Sequence, residues 1–399
     1  MTYDDAASAG HAPGSKGYRR LLAALFFIGV ATFAQLYSPQ GLLPLIAEEQ
    51  QVTADQAALM VSAATLGLAL GVIPWSYVGD RIGRKPAMGL AISLACVLAV
   101  VVVLMPGLWP ALIVRFFEGF MLGGVPALAI AYLNEEVSRG AAAAAAGTYV
   151  SGTTLGGLAG RIIAAPVGEQ WGWKPGMLVV AAIAVACVAL FLWLAPSARE
   201  FAPKRTTFGQ AVSALTGNLR SRVLWVLYIQ GFLTMGGFVA MYNYVTFHLA
   251  GAPFHMPLWL ISLIFLAYLA GTFSSPRAGR IASRWGRKPV LLTGNLVMML
   301  GVALTLIPHI STILAGMVLL TGGFFAAHAV ASGWAGSAAA AGRAQSASLY
   351  NLGYYAGSSV FGFVGGSFLH LAGWPGTVGM VLGLAALATA AAAMVLPRD

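Results

Sequence analysis

Three charged side chains, Arg115, Glu118 and Arg161, lie inside long apolar segments of this sequence, and His328 is a fourth titratable group placed in the same way. A charge in hydrocarbon costs at least a few kcal/mol, so such residues normally face a cavity or a charged partner. Arg115 and Glu118 are three residues apart and share one face of a helix. Arginine keeps its proton at any relevant pH, so Glu118 is the carboxylate that could carry one.

These residues support two interpretations. In the first, Glu118 exchanges a proton while Arg115 and Arg161 tune it, and the three side chains form an Arg–Glu–Arg cluster. In the second, the cluster is a structural ion pair that holds two helices together. His328 also has two possible roles. An imidazole near neutrality could pass protons, or it could simply bond a neighbouring carbonyl.

A second group of polar and aromatic residues could bind a solute. Aromatic rings and amides suit a moderately apolar molecule whose pose is determined by a few hydrogen bonds. The alternative is packing against lipid or other helices, which we expect for about half of the tyrosines. The candidates are Gln35, Tyr37, Tyr242, Asn243, Tyr350, Asn351 and Tyr354.

The composition indicates where these residues must be placed. Apolar residues make up 59% of the 399 residues and charged residues only 9%, whereas a soluble protein has roughly 25% charged residues. The net charge of +10 is spread over short connections, which excludes a nucleic-acid-binding stripe. Cys96 and Cys187 lie in separate apolar runs and exclude a disulfide framework or a cysteine metal site, and no metal site is expected.

A bilayer core about 30 Å thick requires roughly 20 residues of helix, and twelve segments meet this length. Their continuous apolar character excludes a β-barrel and predicts an all-α integral membrane protein. The predicted spans are 21–46, 55–76, 86–105, 109–134, 141–165, 174–194, 222–248, 257–277, 289–308, 311–333, 344–371 and 374–396.

The charges between the spans predict the orientation. Lys174 is the one basic residue on the side that carries Glu48, Glu49, Asp55 and Glu169. By the positive-inside rule both termini are cytoplasmic, and residues 1–17 are expected to form a disordered cytoplasmic tail. The basic residues of the other side are Lys16, Arg19, Arg20, Arg81, Arg84, Lys85, Arg139, Arg199, Lys204, Arg205, Arg220, Arg222, Arg277, Arg280, Arg284, Arg287, Lys288, Arg343 and Arg398.

The sequence also repeats itself. Arg, Gly, Arg, Lys and Pro of segment 79–86 recur in register in segment 282–289, and Gly172-Trp173 recurs as Gly373-Trp374. The offsets of 203 and 201 residues predict two six-span halves, 18–196 and 222–399, joined by a cytoplasmic linker, 197–221. Parallel repeats of this kind are typical of major facilitator transporters, whose halves rock around a site near the midplane.

Several motifs resemble that superfamily. Segment 80–85 (DRIGRK) resembles motif A, 115–119 (RFFEG) resembles the proton-coupling motif B, and 152–157 (GTTLGG) resembles motif C of antiporters, with Thr153 at the usual proline. Segments 158–161, 240–244, 324–328, 348–350 and 354–359 are similar to the YnfM-like branch of the drug:proton antiporter-1 group. The resemblance implies the major facilitator fold, twelve transmembrane helices in two six-helix halves, with spans one, seven and eleven lining a central cavity.

The resemblance also implies a conformational latch at motif A, where the Asp80 carboxylate would meet the positive end of span eleven near Ala344. The alternative is that the basic residues only satisfy the positive-inside rule. Ser283 replaces the aspartate in the second half. The latch residues are Asp80, Arg81, Gly83, Arg84, Arg284, Gly286 and Arg287.

Glycines are dense in spans five and eleven, which are equivalent in the two halves. Small residues at four-residue spacing allow close helix approach, and we expect them to form the rocking contact between the halves. These glycines include Gly152, Gly156, Gly157, Gly353 and Gly357.

The predicted function is proton-coupled export of a small organic molecule across a bacterial-type cytoplasmic membrane by a monomer, with the proton gradient in place of a cofactor. No Walker loop is present, so ATP is not expected to drive it. Uptake, or exchange of an organic anion held by Arg115 and Arg161, stays open because motif C lacks its proline. A membrane-embedded enzyme is a remote alternative, since no nucleophile–base pair or metal-ligand set has useful spacing.

Overall fold

A computed structural model describes residues 10–137, 142–197, 216–339 and 342–397, and these are helical apart from short connections and one bridge between His11 and Val137. The predicted positions Arg139, Arg199, Lys204, Arg205 and Arg398 lie outside them. Helices of the first half are Lys16–Tyr37, Leu43–Gln50, Ala54–Ile82, Arg84–Leu104, Leu108–Leu122, Pro126–Glu136, Ala142–Trp171 and Trp173–Leu194, with a 3₁₀ turn at Ser38–Leu42. Helices of the second half are Arg222–Ala250, Leu258–Ser262, Tyr268–Trp285, Arg287–Leu304, Ile310–Ala338 and Arg343–Val395, with a 3₁₀ turn at Leu263–Ala267.

Nine helical segments among the described residues are long and apolar enough to cross a bilayer. The segment Arg343–Val395 contains spans eleven and twelve, because non-helical backbone angles at Ala372 and Gly373 separate them. Span four is divided after Leu122, and Pro126 begins its second helix, where a missing amide hydrogen is not needed. Span five, Ala142–Trp171, is rich in Gly, Ser and Thr and therefore less apolar. Helices thus occupy all twelve predicted spans.

Spans two and eight continue beyond their predicted ends. Their helices reach Ile82 and Trp285, so Asp80 and Arg81 lie in the last helical turn of span two rather than in a loop. Polar residues do not end a helix where water can solvate their side chains. The helical hydrogen bonds of the backbone therefore continue until a glycine ends the helix.

Glycines with positive φ separate consecutive helices at matched positions of the repeat. Gly83 and Gly286 have φ of 96° and 88°, and Gly172 and Gly373 have φ of 92° and 61°. A side chain with a Cβ is strained in this region, so glycine allows two helices to meet across a very short connection. The sequence repeat is therefore also a repeat of backbone geometry.

Lysines beside two of these glycines make equivalent contacts. Lys85 Nζ donates to the carbonyl of Ala195 at 2.6 Å, and Lys288 Nζ donates to the carbonyls of Ala393 and Leu396 at 2.7 Å. Those carbonyls belong to the carboxyl ends of spans six and twelve, where a positive charge is favourable. Each lysine thereby joins the third span of its half to the sixth.

The glycines of span five pack against span one of the same half. A Cβ added to Gly152, Gly156 or Gly160 would overlap the backbone of Phe26, Val30 or Ala34, respectively. Both sets have four-residue spacing, so the two helices touch along a stripe of three contacts. Gly157 faces Arg161 and Tyr37, which also belong to the first half.

Span eleven packs on span seven in the same way, with Gly353 facing Tyr228 and Gly357 facing Phe232. The prediction that these five glycines form a contact between the halves is therefore wrong. The physical reason is that close backbone approach is needed for the tight helix pairs inside each half.

The predicted disordered tail is wrong for residues 10–17. The His11 amide donates to the Glu136 carbonyl at 2.7 Å, and the hydroxyl of Ser15 caps span one by accepting from the Tyr18 amide at 3.1 Å. Capping of this kind stabilises a helix start by about 1 kcal/mol. Residues 1–9 lie outside the described residues.

Contacts divide the chain into two compact units. The first contains Met1–Pro39 and Leu70–Arg205, and the second contains Gln40–Ala69 and Thr206–Asp399. This division follows packing, whereas the predicted halves and linker follow the sequence repeat, and their boundaries stay a prediction.

Candidate functional site

A fully buried ion pair occupies the first unit. Arg115 Nη1 lies 2.9 Å from Glu118 Oε2, and both residues have 0% exposure. They are one helical turn apart on Leu108–Leu122, the first helix of span four, as the spacing predicts. Neither Oε1 nor Oε2 of Glu118 accepts a hydrogen bond from the described residues, so the contact with Arg115 is an ion pair only. An acceptor is thus available beside the ion pair.

Arg115 also binds the end of span one. Its guanidinium donates to the carbonyls of Gln35 at 3.3 Å and Leu36 at 2.8 Å. The first helix of span one ends at Tyr37, so these carbonyls are among those left without helical amide partners. One cation therefore satisfies a carboxylate on span four and a helix end on span one.

Arg161 approaches the same part of span one. Its guanidinium carbon lies 4.2 Å from the centre of the Tyr37 ring, and its Nη1 donates to the Gly157 carbonyl at 2.6 Å. Arg161 is 1% exposed. A desolvated cation over an aromatic face gains about 2 kcal/mol or more. The two arginines thus converge on residues 35–37 of span one, whereas a direct three-membered Arg–Glu–Arg cluster was expected.

Gln35 and Tyr37 are buried among these side chains. The Gln35 amide donates to Ala31 O at 3.0 Å, and its Oε1 accepts no hydrogen bond from the described residues. Spans one, four and five therefore each supply a side chain around one polar centre.

His328 belongs to an aromatic cluster in the second unit. Its Nδ1 lies 2.9 Å from the Tyr350 hydroxyl, and its ring is 4.7 Å from the Tyr354 ring and stacks on Phe324 at 5.7 Å. The structural interpretation of His328 predicted a carbonyl partner, whereas its partner in the structure is the phenol of Tyr350. This cluster joins two predicted cavity residues to the predicted histidine.

The other cavity candidates are placed differently. Tyr242 is fully buried, bonds the Thr321 hydroxyl at 2.6 Å and stacks on Phe265, which is a packing environment. Asn351 is exposed. Asn243 accepts a 2.6 Å hydrogen bond from the Gln40 amide.

Gln40 and Asn243 are separated by 203 residues, the offset of the repeat. Residues close to an axis relating two copies meet their own counterparts, so the repeat itself identifies this pair. We missed Gln40 because a single amide in an apolar run gives no signal unless it is compared with the other half. A second amide pair, Gln230 with Asn295, was also missed.

The motif A residues form a charged triad in the first unit. Arg84 lies 2.5 Å from Asp80 and donates to both oxygens of Glu135 at 3.0–3.3 Å. In the second half Arg287 donates to the Ser337 hydroxyl at 2.8 Å, and Ser283 bonds the Arg280 carbonyl. Glu135 was not predicted, although it occupies the position in the first half that Ser337 occupies in the second half.

Comparison with known proteins places this geometry in context. The sequence model described as Major Facilitator Superfamily matches residues 25–275 and 250–399. The chain is 38% identical to "Inner membrane transport protein YnfM" of Escherichia coli (strain K12), over 91% of this chain and 87% of that protein. It is 35% identical to "Uncharacterized MFS-type transporter YybF" of Bacillus subtilis (strain 168), over 92% and 91%.

The fold is similar to that of a solved nucleoside transporter, NupG, in a single-residue variant. The TM-score is 0.75 over 94% of this chain and all of that chain, at 14% sequence identity, which shows the fold alone. At lower similarity, "Multidrug resistance protein MdtG" of Citrobacter koseri is 26% identical over 65% of each chain.

Proposed function

Since the chain belongs to the major facilitator superfamily, we propose that it is a proton-coupled transporter that exports a small organic molecule by alternating access. The chain is a multi-pass membrane transporter and not an enzyme. Coupling to protons, outward direction and action as a monomer are the proposed parts. Similarity to a multidrug resistance protein supports export, and bacterial relatives support the inner membrane.

The observation that supports proton coupling is the buried pair of Arg115 and Glu118. Glu118 is the one acid that lies deep within a predicted span, and both side chains are fully buried. A charge at this depth is costly, so its neutralisation by a proton changes the free energy of the site strongly.

Protonation of Glu118 also has a structural consequence. The ionised carboxylate attracts Arg115, which binds the carbonyls of Gln35 and Leu36 at the same time. When Glu118 is neutral, Arg115 loses this ionic attraction but keeps the two carbonyls, so it can move with the end of span one. A proton on span four is thereby linked to the position of span one.

Replacing Glu118 tests this mechanism. We expect Glu118→Gln to abolish pH-gradient-driven transport while leaving folding and substrate binding largely intact, because glutamine keeps the shape but cannot titrate. Export would be measured in inverted membrane vesicles with a panel of fluorescent cations, and binding by fluorescence with purified protein.

The matched control is Glu48→Gln, since Glu48 is exposed near the end of the short helix Leu43–Gln50, which follows the first helix of span one. This variant should transport normally. A Glu118→Gln protein that still concentrates a substrate against its gradient removes Glu118 from the coupling mechanism.

A second candidate function is uptake or exchange of an organic anion. Arg115 and Arg161 are both fully buried near residues 35–37, while Glu118 supplies one negative charge. The excess positive charge would suit a substrate carboxylate. In liposomes preloaded with an aromatic carboxylate, exchange without a pH gradient that is lost in Arg161→Gln and kept in Glu118→Gln would favour this function over proton-coupled export.

A further inference from the structure

A groove in the second unit lies between spans eight and nine. Both helices pack extensively on span ten but scarcely on each other, which leaves a cavity of about 450 Å³ between them. Its walls include Ala278 and Ile281 on span eight and Val290 and Val297 on span nine, and its floor includes Gly322. The lining is almost entirely apolar.

The groove lies on a surface that faces lipid. On span eight Phe273 is 63% exposed and Trp285 is 77% exposed, and Trp285 itself lines one end of the groove. Soluble proteins rarely expose such rings together, whereas tryptophan at the end of a span is typical of the membrane–water interface. An occupant would therefore enter from the bilayer.

One arginine of span eight lines the groove, about 12 Å of helix away from Trp285. Arg277 lines it, and its guanidinium donates to the Phe273 carbonyl at 2.9 Å, which uses one of its five N–H groups. Arg280 and Arg284 follow on the same helix and are exposed. Arg277 is therefore the cation of the lining, and Arg280 and Arg284 lie outside it on the same helix.

Acidic residues are nearly absent from the half that carries these charges. The sequence contains no Asp or Glu between Glu200 and Asp399. In the first half the matched Arg84 is held by Asp80 and Glu135, whereas serines take both positions in the second half. Among the described residues of the second half, span eight thus has no acidic side chain to supply its counter-charge.

We propose that this groove binds an anionic glycerophospholipid. One acyl chain lies between spans eight and nine over Gly322, and the phosphate meets Arg277 with Arg280 close by. Basic pockets between spans on the side that carries the excess of Lys and Arg are known to suit anionic headgroups. The apolar wall, the exposed interfacial tryptophan and the uncompensated arginines each agree with this occupant.

Native mass spectrometry of the detergent-solubilised protein tests the proposal. Dioleoyl phosphatidylglycerol and dioleoyl phosphatidylcholine, which share acyl chains and differ in charge, would be titrated separately. We expect the wild type to retain phosphatidylglycerol at several-fold higher occupancy, and Arg277→Gln to lower it to the phosphatidylcholine level. Arg222→Gln, which removes an exposed arginine at the start of span seven, should not change it.

A second variant tests the acyl site. A Cβ at Gly322 would meet only the Ala270 Cβ at 4.0 Å, so Gly322→Leu fills the groove without a backbone clash. It should lower the occupancy of both lipids, whereas Gly333→Leu on the same helix, also in open space, should not. Glycerol 3-phosphate, the headgroup without chains, should fail to compete.

Three outcomes would overturn the proposal. The first is equal binding of the two lipids by the wild type. The second is the same phosphatidylglycerol occupancy in Arg277→Gln and Arg222→Gln. The third is a dimer that Gly322→Leu dissociates while lipid occupancy stays constant. The melting temperature of each variant, measured without added lipid, shows whether it is folded.

Discussion

Arg115 contributes to stability and function through the same contacts. A buried ion pair is strongly destabilising when one partner is removed, because the remaining charge is left without compensation. The partners of Arg115 include the Glu118 carboxylate and the carbonyls of Gln35 and Leu36. Removing Glu118 is therefore a milder change than removing Arg115, since the arginine keeps its two carbonyls.

This difference leads to a prediction at the residue scale. Arg115→Met should lose about 3–5 kcal/mol of stability, because Glu118 would be left buried without its partner. The double variant Arg115→Met/Glu118→Gln should regain a large part of that loss, and Glu118→Gln alone should cost less than Arg115→Met. Thermal unfolding of purified protein in one detergent, followed by tryptophan fluorescence, measures all three. If the double variant were as unstable as Arg115→Met, the carbonyl contacts would outweigh the ion pair.

One helix pair in each half depends on close approach at glycine. Span five meets span one at Gly152, Gly156 and Gly160, and span eleven meets span seven at Gly353 and Gly357. Lipid is as apolar as a leucine side chain, so helix association in a membrane relies on close van der Waals contact. The glycines allow that contact.

The corresponding prediction uses two glycines of one helix. Gly156→Ala should destabilise the protein, since its Cβ would overlap the Val30 backbone. Gly147→Ala is the control, because its Cβ would meet nothing within 4 Å and alanine favours the helix by about 0.5–1 kcal/mol. We expect melting temperatures to move in opposite directions. A shift of the same sign and size in both variants would show that helix propensity, not packing, decides.

At the scale of the whole molecule the two halves share geometry and differ in charge. Gly83 matches Gly286 in backbone angles, and Lys85 matches Lys288 in its helix-end contacts. Charge does not follow the repeat, since no acid lies between Glu200 and Asp399. We interpret this as a shared folding pattern with different partners for its cations, a protein triad in the first half and lipid in the second.

The distribution of charge predicts the orientation of the molecule. Single cysteines at Glu169 and Arg343, both exposed, should label oppositely with an impermeant maleimide in intact cells, in a background in which Cys96 and Cys187 are alanine. Position 169 should react from outside and position 343 only after permeabilisation. Labelling of position 343 in intact cells would contradict the positive-inside assignment.

The sequence alone was sufficient for the twelve spans, the repeat and the superfamily, because a bilayer requires helices of one length and an apolar surface. The pairing of Arg115 with Glu118 was also predictable, since three-residue spacing on a helix determines proximity. Such features depend on neighbours along the chain, so they could be predicted without tertiary structure.

Contacts between distant segments were decided only by the tertiary structure. Arg161 meets Tyr37 instead of Glu118, Glu135 completes the Arg84 triad, and the span-five glycines pack inside their half. Each depends on which helix faces which and on its rotation, and a nearly uniform apolar sequence does not encode these by periodicity. Lipid and protein interior are equally apolar, so hydrophobicity does not distinguish a helix face that packs from one that faces the membrane.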